Sequence, residues 1–495
     1  EITEFPFFTF IFGDLHPHLI SMPFALLALG ISLAIILKFA NGPSLVYRGL
    51  LLLILSLSIG SLRAINTWDF PTYIAIAFMS IFFGEYLRDR IFLNRRLVAY
   101  TLSQWVIVYL CSYALFWPFI SNYHPFVGGV DISQWQTPIY AYLAIHSIFI
   151  FILISFFASE CRNFINVPNT KDLKYIFRII IFPGLYAAIS ATLVISGYST
   201  VVFLGTLLGI VIWMSFRWIS ETKPNAFGLF ALLLIGMGLA LGAGVDILTI
   251  DGDIARMNTV FKFYIQAWIL LGIGSAYLLW HIKFGTSFIS DRLPLGKIGK
   301  ARFFIWGVIF LTLLFATSIY MLSGTHDRLR DRMQFTGMTL DGLRFMNDSY
   351  YSFDKGSAID NLNWDYQAIQ WLRNNVSGSP VILEGQGELY RTIHGRASIY
   401  TGLPTVLGWD NHQSQQRGYG KTINDRKIDI DLIYSSRDWD RTIGLLERYQ
   451  IEYIYVGEIE KHFYDSAGLN KFQAQIGKVL DVAYSNKGVT IYKMK

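Results

Sequence analysis

Charged side chains are what this sequence has least of. Only 15% of its 495 residues are Asp, Glu, Lys or Arg, against 53% apolar, and mean hydropathy is +0.41. An ordinary water-soluble globular domain carries about 25% charged residues, so an entirely soluble fold is excluded. Cysteine is nearly absent: Cys111 and Cys161 are the two. They fall at opposite ends of successive apolar segments, too far apart for the roughly 7 Å between Cα atoms that a disulfide allows. After residue 161 there is no cysteine at all, so the C-terminal part must hold its fold by core packing.

Long apolar runs fill the space that charge leaves. Runs of about 18 residues or more read as membrane helices. They lie near 19–37, 49–65, 70–86, 97–116, 139–158, 175–196, 199–218, 226–245, 261–280 and 303–323. The fold class is therefore a polytopic α-helical membrane protein of about ten spans, with a membrane domain over 1–323. Ser196-Gly197-Tyr198 joins two spans as a tight helical hairpin. From 324 to 495 the composition turns polar and charged, which indicates a soluble α/β domain. Its helices are expected at 365–375 and 438–449. Its strands are expected at 380–384, 451–456, 479–484 and 489–492, the last two joined by a turn at Asn486-Lys-Gly488. Gly385-Gln-Gly387 follows a strand but lacks a third glycine, so it reads as a turn rather than a nucleotide fingerprint. The first residue, Glu1, is not Met and no signal peptide follows, so the chain reads as a segment of a longer protein with further membrane helices before it.

Lys and Arg collect in one set of loops. Among them are Lys38, Arg48, Arg88, Arg90, Arg95, Arg96, Arg162, Lys171, Arg217, Lys223, Lys283 and Lys300. The opposite set holds Glu4, Asp14, Asp69, Asp131, Asp246, Asp251 and Asp253, with only Arg63, Arg256 and Lys262 at its edges. The positive-inside rule makes the first set cytoplasmic. A multi-pass protein of the plasma membrane follows, with its chain start and C-terminal domain extracytoplasmic. The net charge of +6 comes from this asymmetry and gives no support for nucleic-acid binding.

Four polar clusters lie on the predicted outer face. In Asp14-Leu-His16-Pro-His18, with Glu4 nearby, Pro17 disfavours helix at His16. An extended chain would point Asp14, His16 and His18 to one side. Two chemistries stay open: a divalent metal ion held by the three, or acid/base groups over a substrate. In Arg63-Ala-Ile-Asn66-Thr-Trp-Asp69-Phe-Pro-Thr-Tyr73, Asp69 either caps the next helix and pairs with Arg63, or stands with Asn66 beside a polar substrate. In Asp246 to Lys262, the Asp251-x-Asp253 pair suits a cation bridging phosphates. Arg256 and Lys262, with Asn258, suit a lipid phosphate. In Gly402 to Arg417, Trp409 offers a stacking platform for a sugar ring, while Asp410, His412 and Arg417 offer hydrogen bonds.

Glu4-Phe-Pro-Phe-Phe, Gly13-Asp-Leu-His-Pro-His18, Asn66-Thr-Trp-Asp-Phe-Pro-Thr-Tyr73, Arg256-Met-Asn-Thr-Val-Phe-Lys262 and Gly408-Trp-Asp-Asn-His-Gln413 together resemble the YYY-type (Chlor_Arch_YYY) membrane proteins over essentially the whole chain. More distantly the sequence resembles the GT-C glycosyltransferases. That resemblance implies a polyprenyl-phosphate sugar donor, catalytic carboxylates in outer loops, and an earlier outer loop upstream of Glu1 that would carry a catalytic acid. The expected function is transfer of a sugar from a lipid phosphate carrier to a glycan or protein acceptor at the outer face. Asp14, Glu4 or Asp69 would be catalytic. His16 and His18 would be metal co-ligands or acid/base partners. Arg256, Lys262 and Asn258 would bind the lipid phosphate, and Trp409, Asp410, His412 and Arg417 the acceptor. The rival class is a transporter or lipid-handling protein without covalent chemistry.

The charge asymmetry yields a direct test of topology. In a background with Cys111 and Cys161 replaced by Ser, Phe92→Cys should resist an impermeant thiol reagent on intact cells. Gly420→Cys should label. The reverse pattern would invert the assignment.

Overall fold

A computed structural model describes residues 5–12, 16–91, 94–123, 129–161, 190–221, 224–251, 253, 256–282, 297–332, 337–352, 359–387, 393–417 and 420–495. Among these residues, nine helices are long and apolar enough to cross a membrane. They are Pro17–Phe39, Leu45–Ile65, Phe70–Asp89, Arg95–Ala114, Ile139–Glu160, Ser199–Ser220, Ala226–Gly244, Met257–Trp280 and Phe303–Arg330. Most of the run near 175–196 lies outside the described residues, although 190–195 is helical and leads into the turn at Ser196.

Proline sets two helix starts. His16 is extended at φ −65°, ψ 148°, with Pro17 opening the helix behind it, as the restriction on a residue before proline requires. The extended segment therefore ends at His16, and His18 is already helical. The two rings do not follow a strand alternation, yet their centroids are 5.1 Å apart. Pro71 likewise sits in the first turn of Phe70–Asp89, where its missing N–H costs nothing.

Small residues bring the central helices close. A Cβ at Gly274 would fall 2.5 Å from the Ile235 side chain and 3.0 Å from the Ala231 carbonyl. Only glycine admits the Met257–Trp280 helix against Ala226–Gly244 at that separation, the small-residue packing of membrane bundles. At one end of the bundle a two-stranded antiparallel ribbon, β1 (Val130–Ile132) with β2 (Leu248–Ile250), ties two loops together. At the other, Arg48 pairs with Glu85, and Gln104 bonds to both. Arg48 is thus a buried, neutralised charge as well as a member of the basic set.

The second unit, Leu329–Lys495, carries a small pair, β3 (Tyr350–Ser352) with β4 (Ile359–Asn361), and a four-stranded sheet. That sheet contains β5 (Val381–Leu383), β6 (Ile451–Val456), β7 (Leu480–Ser485) and β8 (Thr490–Met494), in the order β5-β6-β8-β7. β5 and β6 are parallel and the other pairs antiparallel. The β7–β8 hairpin closes on Asn486, whose side chain accepts from Gly488 and Val489 N–H. Helix Asn363–Asn375 buries Ala368, Ile369 and Leu372. Helix Trp439–Arg448 buries Leu446.

Arg396 sits fully buried among these elements. It bonds Asp365 and both oxygens of Glu460, and lies 4.9 Å from the Tyr455 ring. Glu460 also accepts from Gly385 and Gly457 N–H, joining the ends of β5 and β6. Removing one partner of a buried ion set leaves uncompensated charge and costs about 3–5 kcal/mol. Arg396→Met should therefore lower the unfolding transition of the C-terminal unit in the full chain, followed by limited proteolysis against temperature. An unchanged transition would show that the network is dispensable.

Candidate functional site

Three of the sequence clusters converge at one end of the helical unit. Asp69 is 4% exposed. Its carboxylate accepts from Asn66 Nδ2 at 2.9 Å and Gln266 Nε2 at 2.7 Å. Gln266 also donates to the Trp68 carbonyl at 3.2 Å. The Ser21 hydroxyl lies against Asp69 and donates to the His18 carbonyl. Four residues before Gln266, on the same helix face, Lys262 interacts with the charge of Asp69 and rests 5.9 Å from the Trp68 ring. The His18 ring meets Phe261 edge-on at 4.8 Å. Segments 16–21, 66–69 and 261–266 therefore form one polar cluster, although Asp69 and Gln266 are 197 residues apart.

Burial raises the Asp69 pKa from 3.8 to about 6, against the lowering effect of Ser21, Asn66 and Lys262. The Asp69 side chain makes no cap bond to the helix it precedes. Arg63 does not pair with it either. The guanidinium bonds Tyr113 Oη at 3.1 Å and lies over the Tyr113 and Phe70 rings. The capped turn with an Arg63–Asp69 ion pair is thus corrected. Gln266 takes up the carboxylate, and the aromatic pair takes up the cation.

Arg256 faces inward as well. It bonds Asp246 at 2.5 Å, the Val245 carbonyl at 3.1 Å and Thr137 Oγ1 at 2.8 Å. Asp246 is fully buried and also accepts from the Thr137 N–H and hydroxyl. Arg256 reaches this node from a left-handed backbone, φ 59°, a conformation that costs a non-glycine residue about 1–3 kcal/mol unless its surroundings hold it. Asp253 caps the next helix through the N–H groups of Asn258 and Thr259. This occupies one member of the Asp251-x-Asp253 pair. Asn258 stands exposed at that helix start.

Among the described residues no group of three or more His, Cys, Asp or Glu gathers as a metal centre. Glu4 and Asp14 lie outside the described residues, so His16 and His18 are the visible part of the opening motif.

In the C-terminal unit Trp409 donates its Nε1–H to the His394 carbonyl at 3.0 Å, and its ring lies 5.2 Å from that of His412. Asp410 pairs with Lys427 at 2.7 Å. Arg417 ends the helix Asp410–Arg417. Two residues that sequence reasoning passed over are here. His394 is 4% exposed with neither ring nitrogen hydrogen-bonded, and burial lowers its pKa to about 4. Glu384, fully buried and raised by that burial, accepts the N–H groups of Ala397 and Ser398. The sequence signal for His394 is its place in His394-Gly-Arg396, a turn between two chemically active side chains.

A family model described as uncharacterized membrane protein (DUF2298) matches residues 1–271. The chain belongs to the DUF2298 family. The matched stretch contains every helical-unit residue of the cluster: Ser21, Asn66, Asp69, Lys262 and Gln266. A DUF2298 chain is a membrane protein, and its many apolar helices agree with a multi-pass arrangement. No curated protein matches the sequence.

The raised Asp69 pKa predicts how stability changes with pH. Between about pH 4 and 6 the folded chain keeps a proton that the unfolded chain has lost. Stability should therefore fall as pH rises through that window, by roughly 3 kcal/mol, and stay lowered above it. Melting curves in detergent from pH 4 to 8 should show this slope, and Asp69→Asn should flatten it. Identical profiles for both proteins would show that Asp69 is not the strained acid.

Proposed function

We propose that this DUF2298 protein is a glycosyltransferase that uses a polyprenyl-phosphate-linked sugar at the extracytoplasmic face of the plasma membrane. The observation that carries the reading is the Asp69 cluster: a buried carboxylate, oriented by Gln266 and Asn66, with the Lys262 ammonium beside it. The resemblance of the motif segments to YYY-type proteins, and through them to GT-C enzymes, supports the same reading.

In the proposed reaction Asp69 takes the proton of the acceptor hydroxyl. The acceptor oxygen bonds to the anomeric carbon as the anomeric carbon–phosphate oxygen bond breaks, and polyprenyl phosphate leaves with the electron pair. Lys262 faces the departing phosphate as a point charge, with Asn258 one turn away at the helix mouth. Arg256, held in the Asp246 node, would act at one remove, by fixing the start of the helix that carries Lys262. A base with pKa near 6 is mostly deprotonated at neutral pH, and a positioned base of this kind contributes about 10²–10⁴-fold. His16 and His18 border the cluster as acid/base partners or, with Asp14, as ligands of a divalent ion. Glu4 remains a second candidate carboxylate. The C-terminal unit would lie on the same side of the membrane and bind the glycan or protein acceptor.

Two measurements test the reading. Purified protein should retain undecaprenyl phosphate in native mass spectrometry, and Lys262→Ala should weaken that retention by about 10-fold or more. With radiolabelled undecaprenyl-phosphate sugars and membrane acceptors, Asp69→Asn should cut transfer by about 10²-fold or more. The remaining wild-type rate should rise with pH to a plateau above about 6. Lipid retention without transfer in any variant would favour a lipid-handling protein. No retention would remove the lipid-phosphate reading.

A further inference from the structure

The short helix Pro6–Phe12 is gripped from two sides. Tyr320, Gly324 and Arg328 follow one another at four-residue steps along the helix Lys297–Arg332, so they share one face. The Tyr320 ring stacks on Phe5 with centroids 5.1 Å apart. Ile11 packs close to the bare backbone at Gly324, where a Cβ would fall 3.4 Å from its Cδ1. Arg328 completes the stripe. Its Nε donates to the Ile11 carbonyl at 3.1 Å and its Nη2 to the Phe12 carbonyl at 2.7 Å, while the guanidinium lies 4.9 Å from the Phe12 ring centroid. These carbonyls end a helix, where no intrahelical N–H reaches them and a cation is favoured. On the other side Phe5 meets Trp268 edge-on at 6.3 Å, and Phe8 meets Phe261 at 5.9 Å.

The clamped carbonyls stand immediately before Gly13-Asp-Leu-His16 in the chain, and a path of rings runs on from them. Phe12 meets the His16 ring edge-on at 5.5 Å, His16 lies 5.1 Å from His18, and His18 meets Phe261 at 4.8 Å. Phe261 precedes Lys262 in sequence. The His18 carbonyl accepts from the Ser21 hydroxyl, which lies against Asp69. Close-packed side chains transmit a displacement rather than absorb it. Two carbonyls from successive residues call for a forked donor, which arginine has and lysine lacks. We propose that Arg328 is a positioning residue: by holding the end of Pro6–Phe12, it fixes where His16 and His18 stand beside the Asp69 cluster. The inference rests on the transferase reading only for the step from histidine position to rate.

Carbethoxylation of histidines by diethyl pyrocarbonate, resolved by mass spectrometry on the full chain in detergent, reads that position directly. Arg328→Gln should speed modification of His16 and His18 by about 10-fold, the scale of one charge-assisted hydrogen bond lost. The buried His146 and His394 should stay protected, and the exposed His462 should react as before. Arg328→Lys, which keeps the charge without the fork, should fall between wild type and Arg328→Gln. Phe12→Leu leaves the carbonyls in place but removes the ring between Arg328 and His16, and it should speed His16 with the fold intact. Unchanged His16 and His18 rates in Arg328→Gln and Phe12→Leu would overturn the proposal. Acceleration that extends equally to His146 and His394 in both variants would overturn it too, since Arg328 would then serve the fold as a whole. Selective acceleration in a protein without transfer activity would remove the transferase reading alone. Unaltered histidine rates in a protein that transfers sugar would remove this one alone.

Discussion

The helical unit depends on one constraint: polar groups among apolar helices must satisfy each other, because hydrocarbon offers them nothing. The Asp246–Arg256–Thr137 node meets that constraint where four chain segments end. Asp246 closes the Ala226–Gly244 helix, Arg256 precedes Met257–Trp280, and Thr137 precedes Ile139–Cys161. The Thr137 carbonyl also accepts from Thr200 at 2.6 Å, in the first turn of Ser199–Ser220. The geometry of Met257–Trp280 follows from this clamp. Lys262 and Gln266 are carried on that helix, so their approach to Asp69 is set by a cluster in which they take no part.

Asp69 and Asp246 are buried carboxylates that such a bundle accommodates in two different ways. Asp246 has a guanidinium and a hydroxyl donor, and its charge is matched at hydrogen-bond distance. Asp69 has two neutral amides, the Ser21 hydroxyl and a more distant ammonium. Amides orient an anion but do not neutralise it, so burial dominates and the proton affinity rises. Perturbation by desolvation next to one specific charge is a mark of functional sites, though structural networks produce it too. Arg63 does not supply the missing charge, because it rests on Tyr113 and Phe70.

The spans were legible in the sequence because a membrane helix is a compositional fact some 20 residues long. The hairpin at Asn486 and the strand at Ile451 were legible because their signals are local. The site was legible as a set of segments but not as an assembly. Nothing in Trp68-Asp69 announces Gln266, and nothing near Thr137 announces Arg256. The readings that failed were those that sought a partner nearby in sequence: Arg63 for Asp69, and a strand alternation linking His16 to His18. Local rules propose the nearest satisfying geometry. A packed bundle offers polar groups partners from other helices, and these win when they also fill space.

The C-terminal unit repeats the same physics with a different outcome. Arg396 gathers Asp365 and Glu460, and Glu460 in turn occupies the N–H groups at the ends of β5 and β6. Glu384 occupies those of the helix at Arg396. Charges that would otherwise make this sheet edge an anion site are thus consumed internally. Sheets of this kind bind phosphates when their terminal N–H groups stay free. Here several of those groups hold carboxylates of the chain itself, so the ion network that stabilises the fold also fills the ends of its sheet.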